Sequence, residues 1–584
     1  MYPYNAPIVD MQFVLKHIAK IDDVCSLPKY EDASPDLIDA VLEEAAKFTG
    51  EVLAPLNHAG DIQGATYENG VVRTPDGFKE AYQQFVDAGW QGLPFDPDHG
   101  GQGLPWVLQT AISEMLNSSN LAFALAPLLT QGAIDALEEH GTEEQQATYL
   151  PNLLSGKWNG TMNLTEPQAG TDVGAARTRA VKADDGSYRI KGSKIFITWG
   201  ENDCTENVIH LVLARVPDAP EGSKGISLFI VPKFMVNADG SLGERNDLRC
   251  SGIEHKLGIH GSPTCMMSFG DNEGAIGYLV GEENRGMQYM FTMMNNARLA
   301  VGVQGLAIAE RAYQAAVSYA KDRKQSSEIG SKDRSSVAII KHPDVRRNLL
   351  LMKSQIEAMR GLAYYTLAQQ DKQRATGDTE AGQVVDLLVP VVKSWLTDKG
   401  VELASIGVQI HGGMGFIEET GAAQYYRDAR ILPIYEGTNG VQALDLMGRK
   451  TFKDQGAATQ LMVAKLNATH TRLEEAKLTD TAASLKDATV SVENGLKAML
   501  AFGAAGDIKA AAAAATAYQE LLSICFGAWI MAERLLAAQG DAQFETSQTI
   551  TTKFYMTQIL PKSGSLLTAM NEGAIVNELD EDAF

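Results

Sequence analysis

The chain has 584 residues, too many for one compact core, and this length suggests roughly three or four domains. Its 45% hydrophobic and 21% charged content is typical of a globular protein and excludes a disordered or fibrous one. The net charge of −23 repels polyphosphate backbones, and no run rich in Lys or Arg offsets it. We therefore predict no nucleic-acid partner.

The five cysteines lie far apart and form no C-x-x-C pair, which argues against a disulfide framework and against a cysteine zinc site. We predict no metal site. The start of the chain, "MYPYNAPIVDMQF", lacks the basic and apolar regions of a secretory signal. The most apolar run, "FGAWIMAERLLAA", is interrupted by Glu533 and Arg534. We therefore predict no membrane span and a cytoplasmic location.

The first half of the chain changes from helical to strand-like periodicity. An N-terminal segment (1–34) precedes a region (35–157) with apolar residues at helical spacing, which opens with Ser34 as a cap and Pro35 at the first helical position. Short β-branched runs such as "NVIHLVLARV" and "GISLFIVPK" follow, bounded by turn residues. Residues 158–280 are therefore predicted to form a β domain.

Helical periodicity returns at 281 and continues to 449, interrupted by the polar stretch "QSSEIGSKDRSS" at 325–336, which predicts an exposed loop. An alanine-rich helical section then occupies 450–584. The predicted order is helical, β, helical and helical.

Two stretches of the β domain carry groups that plain strands do not need. "TEPQAGTDVG" (165–174) exposes hydroxyl and N–H donors in a turn, which suit a polar ring edge or a phosphate. "KIFITWG" (194–200) places aromatic side chains beside a threonine, on which a planar cofactor could stack. Each has a structural alternative, a hydrogen-bonded turn for the first and core packing for the second.

The stretch "ILPIYEGTNG" (431–440) sets one carboxylate, Glu436, between a mostly apolar run and Gly437. Desolvation raises the pKa of a carboxylic acid, and a glycine lets a ligand approach the backbone, so Glu436 is a candidate proton-abstracting base. The alternative is a surface glutamate at a strand-to-helix turn. Shortly before it, "HGGMG" offers glycine amides to a pyrophosphate, or allows helices to pack closely.

Together these motifs resemble the acyl-CoA dehydrogenase family. "TEPQAGTDVG", "KIFITWG" and "RDARILPIYEGTNGVQ" are similar to three of its signatures, and "ARLAVGVQGLAIAERAYQAAVSYAKDRKQ" resembles the arginine-led helix between them. The resemblance covers residues 80–450. It implies an α+β multidomain fold with an all-α N-terminal domain, a central β-barrel domain and an α-bundle domain, followed here by a C-terminal helical extension.

The resemblance also implies a reaction. Members of the family remove the α-proton of an acyl-CoA thioester with a glutamate, matched by Glu436, while the β-hydrogen leaves as a hydride to N5 of FAD. The product is a trans-2-enoyl-CoA. The thioester oxygen accepts hydrogen bonds from the backbone N–H of the base and from a flavin ribityl hydroxyl, an oxyanion-hole arrangement.

The family resemblance also implies roles for further residues, one position at a time. For Arg298, the alternative to such a role is a salt bridge on its helix. Arg323 and the 409–413 loop match residues that reach the FAD of a neighbouring subunit, which implies a homodimer or a dimer of dimers. The implied FAD contacts are Thr165, Phe196, Thr198, Arg323, Gln409, Gly412, Gly413 and Thr438, and the implied substrate contacts are Thr171, Arg298 and Gly437.

The extension and the "YNAPIVDMQFVL" segment resemble a subgroup that includes 3-methylmercaptopropionyl-CoA dehydrogenases of dimethylsulfoniopropionate degradation, alongside bacterial fatty-acid degraders. This implies 3-(methylthio)propanoyl-CoA as substrate, with a fatty acyl-CoA of β-oxidation as the alternative, and an electron-transfer flavoprotein as acceptor. An oxidase of similar architecture stays open. A DNA-binding relative needs a basic C-terminal face, whereas residues 540–584 hold only Lys553 and Lys562.

Two positions depart from the family pattern. Trp199 stands where an asparagine is usual, and Ser326, in the polar loop, stands where an aromatic residue is usual. The second departure puts one flavin-stacking contact in question.

Overall fold

The computed structural model describes residues 2–584, and its first 157 residues are mainly helical. Ser34 caps the third helix as predicted, because its Oγ accepts a hydrogen bond from the Leu37 N–H at 3.2 Å. The helices are α1 (Ile8–His17), α2 (Ile21–Cys25), α3 (Pro35–Lys47), α4 (Ala54–Gln63), α5 (Phe78–Asp87), α6 (Trp106–Ser119), α7 (Leu121–His140) and α8 (Glu143–Leu154), with a π-helical turn at Phe48–Leu53.

The same region contains a two-stranded hairpin that the sequence analysis did not predict. Strand β1 (Thr66–Glu68) pairs antiparallel with β2 (Val71–Arg73). Asn69 and Gly70 connect the strands with φ values of 51° and 84°. Two positive φ values in a two-residue connection are typical of a tight hairpin turn, for which Asn-Gly is the preferred pair.

Helix α7 is the one described helix that is long and apolar enough to cross a membrane by length and hydropathy. The apolar window is 94% buried inside the protein. A core helix passes the same test, and α7 has the burial of a core helix.

The central region, Trp158–Val280, contains ten strands. Eight of them form one sheet in the order β10-β11-β5-β12-β7-β6-β3, with β4 beside β5, and every pairing is antiparallel except β3 with β6. The strands are β3 (Trp158–Asn163), β4 (Arg179–Lys182), β5 (Tyr188–Thr198), β6 (Asn207–Ala214), β7 (Ser227–Pro232), β8 (Phe234–Val236), β9 (Leu242–Arg245), β10 (Leu248–Ile253), β11 (Thr264–Phe269) and β12 (Ala275–Val280). Strands β8 and β9 pair separately.

The remainder of the chain is helical. Its helices are α9 (Gly286–Asp322), α10 (Pro343–Thr376), α11 (Thr379–His411), α12 (Ala422–Ala429), α13 (Asn439–Met447), α14 (Ala457–Glu475), α15 (Thr479–Ala505), α16 (Ile508–Ala537), α17 (Glu545–Phe554) and α18 (Lys562–Asn571). Residues 325–336 form no helix or strand and are mostly exposed, as predicted for the polar loop. The predicted α+β fold with a C-terminal helical extension is confirmed.

The chain divides into two compact units, each built from separate segments. The first contains the residues up to Ala46, Pro105–Ser118 and Arg298–Phe584, and the second contains Lys47–Leu104 and Ser119–Ala297. The core of the second unit lies on the sheet, where strands β6 and β7 are buried along their whole length. The domain boundaries predicted from the sequence stay a prediction.

The first unit contains a buried cluster of ionisable side chains. Arg360 contacts three carboxylates, with its Nη1 2.6 Å from Asp10 Oδ2, its Nη2 2.6 Å from Glu114 Oε1 and the same Nη2 2.8 Å from Glu310 Oε2. The other oxygen of Asp10 accepts a hydrogen bond from Arg534 on α16. Asp10 therefore joins the bundle helix α10 to the extension, and several hydrogen bonds per group offset the cost of burying the charges.

Candidate active site

Glu436 lies in the short loop between α12 and α13, so the turn connects two helices rather than a strand and a helix. Its φ is 56° and that of Gly437 is 82°, so two consecutive residues adopt the left-handed region. A residue with a Cβ pays roughly 1–2 kcal/mol there, and such strain is concentrated at functional sites. The backbone N–H of Glu436 donates no hydrogen bond to any of residues 2–584.

The Glu436 carboxylate is partly buried and accepts no hydrogen bond within the part of the chain that the structure describes. Burial raises the pKa of Glu436 to about 7, against the opposing effects of Arg298 and Lys393. Desolvation without a hydrogen-bonding partner favours the protonated form of an acid. A carboxylate with this pKa can accept a proton at neutral pH and release it again.

Arg298 lies on α9 with only 5% of its side chain exposed, and its Nη1 is 3.7 Å from Asp445 Oδ2 on α13. Burial lowers the pKa of Arg298, whereas Asp445 and Glu436 raise it. The salt-bridge alternative from the sequence is therefore present. The same guanidinium also acts electrostatically on Glu436.

Gly437 has a conformation and surroundings that disfavour a side chain. A Cβ at this position would lie 2.7 Å from Gln442 Nε2 and 3.8 Å from Arg298 Nη2. Thr438, the next residue, caps α13, because its Oγ1 accepts a hydrogen bond from the Val441 N–H at 3.2 Å. The Thr438 hydroxyl still has its hydrogen to donate to a ligand.

Tyr435, the residue before Glu436, belongs to a chain of three hydrogen-bonded polar residues that the sequence analysis did not single out. The hydroxyl of Tyr435 donates to Gln304 Oε1, and Gln304 Nε2 donates to Asn117 Oδ1 at 3.2 Å. Burial raises the pKa of Tyr435, so the hydroxyl keeps its hydrogen. The residues are about 130 and 190 positions apart along the chain, and no local pattern relates them.

A fourth residue that the sequence analysis missed is Lys393 on α11, whose side chain is fully buried. Its Nζ donates to the backbone oxygen of Leu432 at 3.1 Å and to Asn439 Oδ1 at 2.7 Å. The two acceptors lie on either side of Glu436 in the chain. A lysine in the apolar run "LLVPVVKSWL" was the available signal.

In the second unit, the predicted flavin-contacting loop starts after β3 and is fixed by a buried ion pair. Lys194 Nζ lies 2.9 Å from Glu166 Oε1 and donates to the Leu164 carbonyl oxygen at 2.9 Å. Glu166 also accepts hydrogen bonds from the backbone N–H groups of Arg177 and Thr178. Burial acts to raise the pKa of Glu166, but Lys194 and these donors lower it to about 2.

The loop and strand β5 bring three of the predicted cofactor residues onto neighbouring segments. The Thr165 carbonyl accepts a hydrogen bond from the Ile195 N–H at 3.0 Å, which places this threonine beside the strand carrying Phe196 and Thr198. Phe196 is 57% exposed and has a φ of 59°. An exposed aromatic ring held in a strained conformation beside two partly buried threonines fits the edge and face of a flavin.

Trp199 and Thr171 have different surroundings. Trp199 is fully buried, and its Nε1 donates to the Ala122 carbonyl at 3.3 Å, so it packs in the core of the second unit. Thr171 is exposed in the loop after Glu166.

The predicted residues at the end of α11 are exposed, as is Arg323 after α9. Gly412 has a φ of 60°, and a Cβ on Gly412 or Gly413 would meet no atom within 4 Å. None of Arg323, Gln409, Gly412 and Gly413 makes a hydrogen bond to the Glu436 loop in the described part of the chain. The adjacent Phe416 is 85% exposed.

Family models for acyl-CoA dehydrogenases match the chain in consecutive segments. The N-terminal domain matches residues 36–157, the middle domain 161–272 and the C-terminal domain 284–451. A fourth model, "Acetyl-CoA dehydrogenase C-terminal like", matches residues 460–578. The chain belongs to the acyl-CoA dehydrogenase family.

Individual members of the family are similar over most of the chain. The 3-methylmercaptopropionyl-CoA dehydrogenase of Ruegeria pomeroyi is 48% identical over 95% of this chain and 96% of its own. A butyryl-CoA dehydrogenase of Syntrophomonas wolfei is 36% identical over 98% of each. The structure of an acyl-CoA dehydrogenase from Bacillus anthracis complexed with FAD has a TM-score of 0.73 at 22% identity, covering 96% of this chain and 91% of that one.

These findings confirm the predicted family, enzyme class and cofactor. The chain is an acyl-CoA dehydrogenase, a flavoprotein oxidoreductase that acts on acyl-CoA thioesters, and its cofactor is FAD. The roles of individual site residues stay predictions.

Proposed function

We propose that this acyl-CoA dehydrogenase converts 3-(methylthio)propanoyl-CoA to its trans-2-enoyl thioester. The support is the 48% identity over 95% of the chain with a relative named for this substrate. The single structural observation that carries the catalytic part is Glu436, a desolvated carboxylate with a pKa raised to about 7 in a strained loop.

In this proposal the Glu436 carboxylate takes the proton from Cα of the thioester, and the electron pair of that C–H bond forms the Cα–Cβ double bond. Bound FAD would supply the acceptor for the hydrogen that leaves Cβ as a hydride, and the substrate would lose two electrons in all. Arg298 and Lys393 keep a fraction of Glu436 ionised at neutral pH. Proton transfer to a positioned base contributes roughly 10²–10⁴ in rate.

The backbone N–H of Glu436 is the proposed donor to the thioester oxygen. No acceptor in residues 2–584 uses this N–H, so it can donate to a ligand. The left-handed conformation of Glu436 and Gly437 sets its direction. A single donor of this kind is worth roughly 10²–10³ in rate.

We propose that the cofactor contacts are the residues that the family resemblance implies. In the second unit, Thr165, Thr198 and Phe196 present hydroxyls and an aromatic face on adjacent segments. In the first unit, Arg323, Gln409 and the open Gly412–Gly413 backbone would hold pyrophosphate oxygens, and Thr438 offers a hydroxyl. Thr171, Arg298 and Gly437 are the proposed substrate contacts.

We also propose a homodimer or a dimer of dimers, an electron-transfer flavoprotein as acceptor and a cytoplasmic location. The exposed Arg323 and Gln409 support the assembly, because a cation and an amide at the surface can serve a ligand on a second copy. Exposed apolar side chains beside them, Met414, Phe416 and Ile417, support an interface there.

The test is the absorbance of the purified yellow protein near 450 nm during anaerobic titration with acyl-CoA thioesters. We expect 3-(methylthio)propanoyl-CoA to bleach the flavin at the lowest concentration, and Glu436→Gln to prevent bleaching. Preferential bleaching by butyryl-CoA or palmitoyl-CoA would support the alternative, a fatty acyl-CoA substrate, which the butyryl-CoA dehydrogenase relative favours. A flavin that no thioester bleaches would contradict the catalytic proposal.

A further inference from the structure

The loop that carries Glu436 is attached to one helix on both sides of the glutamate. Lys393 on α11 donates to Leu432 O, four residues before Glu436, and to Asn439 Oδ1, three residues after it, at 3.1 and 2.7 Å. A single ammonium group therefore spans the whole turn, and its three N–H donors can satisfy both acceptors at once.

Asn439 extends this attachment along α11. Its Nδ2 donates to Asp398 Oδ1 at 2.7 Å, to Thr397 Oγ1 at 3.0 Å and to the Ser394 carbonyl at 3.2 Å. Ser394, Thr397 and Asp398 are at positions i, i+3 and i+4, so they lie on the same face of the helix. The position of the Glu436 loop thus depends on α11, and Lys393 is the buried centre of the contact.

The helix is itself supported from the extension. Gln519 on α16 donates to the carbonyl of Pro390, one turn before Lys393, at 3.2 Å. The side chain of Lys399, six residues after Lys393, contacts Glu402 at 2.6 Å and Glu520 on α16 at 3.9 Å. Lys393, by contrast, has no carboxylate within salt-bridge distance in residues 2–584.

The charge of Lys393 acts on Glu436 and on few other groups. Asp398 on its own helix, Glu436 on the loop and Arg298 on α9 are the charges that act on the ammonium. The pKa of Arg298 is itself raised by Asp445 on α13 and lowered by Arg449, which follows that helix. Burial lowers the pKa of Lys393 to about 8, and Asp398 and Glu436 oppose this effect.

We propose that Lys393 is a positioning residue for the dehydrogenation: it fixes the Leu432–Asn439 loop on α11, and its positive charge favours the ionised form of Glu436. This inference rests on the proposed function, in which Glu436 is the base. The competing interpretation is a lysine that only stabilises the fold. The two differ in the pH dependence of turnover, which a purely structural contact would not move.

The experiment compares the pH profiles of kcat/KM for the FAD-loaded full-length enzyme and for Lys393→Met. We expect the activity of the unmodified enzyme to rise with pH as Glu436 loses its proton, and this rising part of the profile is its acidic limb. Removing the cation raises the pKa of this limb by about one unit, so kcat/KM at pH 7 falls about fivefold and recovers as the pH is raised. An unchanged limb in an active Lys393→Met enzyme would overturn the charge effect.

Two further variants separate charge from attachment. Lys393→Arg keeps the positive charge, so its acidic limb should stay in place. Asn439→Ala keeps Lys393 but removes one acceptor, and displacement of the base should lower kcat by up to about 10²-fold without moving the limb. An Asn439→Ala enzyme with full kcat would overturn the attachment, even where Lys393→Met fails to fold.

The matched control is Lys399→Met on the same helix, since it also removes a lysine from α11 but has no contact with the Glu436 loop. We expect its acidic limb to be unchanged. Failure of the proposed function would look different, because no thioester would then bleach the flavin in the unmodified enzyme.

Discussion

Two loops of this enzyme are each held by a fully buried lysine, yet the pKa values of the nearby glutamates are shifted in opposite directions. In the second unit, Lys194 donates to a carbonyl and pairs directly with Glu166, whose pKa is lowered to about 2. In the first unit, Lys393 donates to a carbonyl and to the neutral amide of Asn439, and the pKa of Glu436 is raised to about 7.

The difference lies in the side chain that accepts the second hydrogen bond of each lysine, a glutamate for Lys194 and an asparagine for Lys393. Where the lysine meets the acid, the carboxylate is stabilised and serves to fix a loop. Where an asparagine is the acceptor instead, the lysine makes no hydrogen bond to the glutamate. Burial then raises the pKa of the glutamate, which suits it to act as a base. A buried lysine near a glutamate therefore indicates a structural pair only when the two groups touch.

The largest expected effect comes from Glu436→Gln, which keeps the shape of the side chain and removes the base. Turnover should fall by roughly 10²–10⁴, while FAD absorbance and the melting temperature stay near those of the unmodified enzyme. Steady-state assays with the best thioester measure the change. Glu419→Gln, an exposed position in the same region, is the control. Full activity of Glu436→Gln would assign the proton transfer to another group.

Breaking the Glu166–Lys194 pair should have the opposite effect: it should lower stability and largely preserve turnover. Lys194→Met leaves the Glu166 charge buried and unpaired, which costs roughly 3–5 kcal/mol. We expect a lower melting temperature and release of FAD, with the turnover of molecules that retain FAD largely preserved. Lys191→Met on the same strand removes an exposed lysine and should change neither property. An unaltered melting temperature for Lys194→Met would contradict this assignment.

Gly437→Ala tests how strictly the conformation of the catalytic loop is required. The left-handed φ would destabilise the alanine by roughly 1–2 kcal/mol, and its Cβ would displace the Gln442 amide. We expect reduced kcat and a modest loss of stability. Gly440→Ala, three residues on, is the control, because its Cβ meets only Thr438 Oγ1 at 3.8 Å and alanine favours the helix there. Equal effects of the two changes would show that the loop tolerates a Cβ.

The smallest effect concerns stability and pH. The pKa of Glu436 is about 7 in the folded enzyme and near 4.5 in the unfolded chain. At a pH between these values, the folded enzyme therefore binds more protons than the unfolded chain. Its stability relative to Glu436→Gln should therefore fall as the pH rises from 5.5 to 8.5, by about 1–3 kcal/mol. Melting temperatures of both proteins across this range measure it. A constant difference would contradict the raised pKa.

The sequence was informative where chemistry and local pattern coincide. The motif "IYEGT" marked Glu436, and the change from helical to alternating periodicity near 158 marked the sheet that begins at Trp158. The start of α3 followed from Ser34 and Pro35, because a cap is a local interaction. Each of these signals lies within a few residues of the feature it predicts.

What the sequence did not reveal depends on residues that are distant along the chain. Lys393 reaches Asn439 across 46 positions, and Gln304 reaches Tyr435 across 131. Such partners are chosen by the tertiary fold, so no spacing rule finds them. The hairpin at Asn69–Gly70 is different, because its turn signal was present in the sequence but lay within a region interpreted as helical.

The double contact of Asp10 has a consequence for how the chain matures. Its two arginine partners, Arg360 and Arg534, lie 350 and 524 positions away, so Asp10 cannot make both contacts before Arg534 has been synthesised. The first unit therefore cannot complete this buried cluster until Arg534 has left the ribosome. We expect nascent chains arrested before residue 534 to remain protease-sensitive in the first unit, whereas release of the full chain should confer resistance.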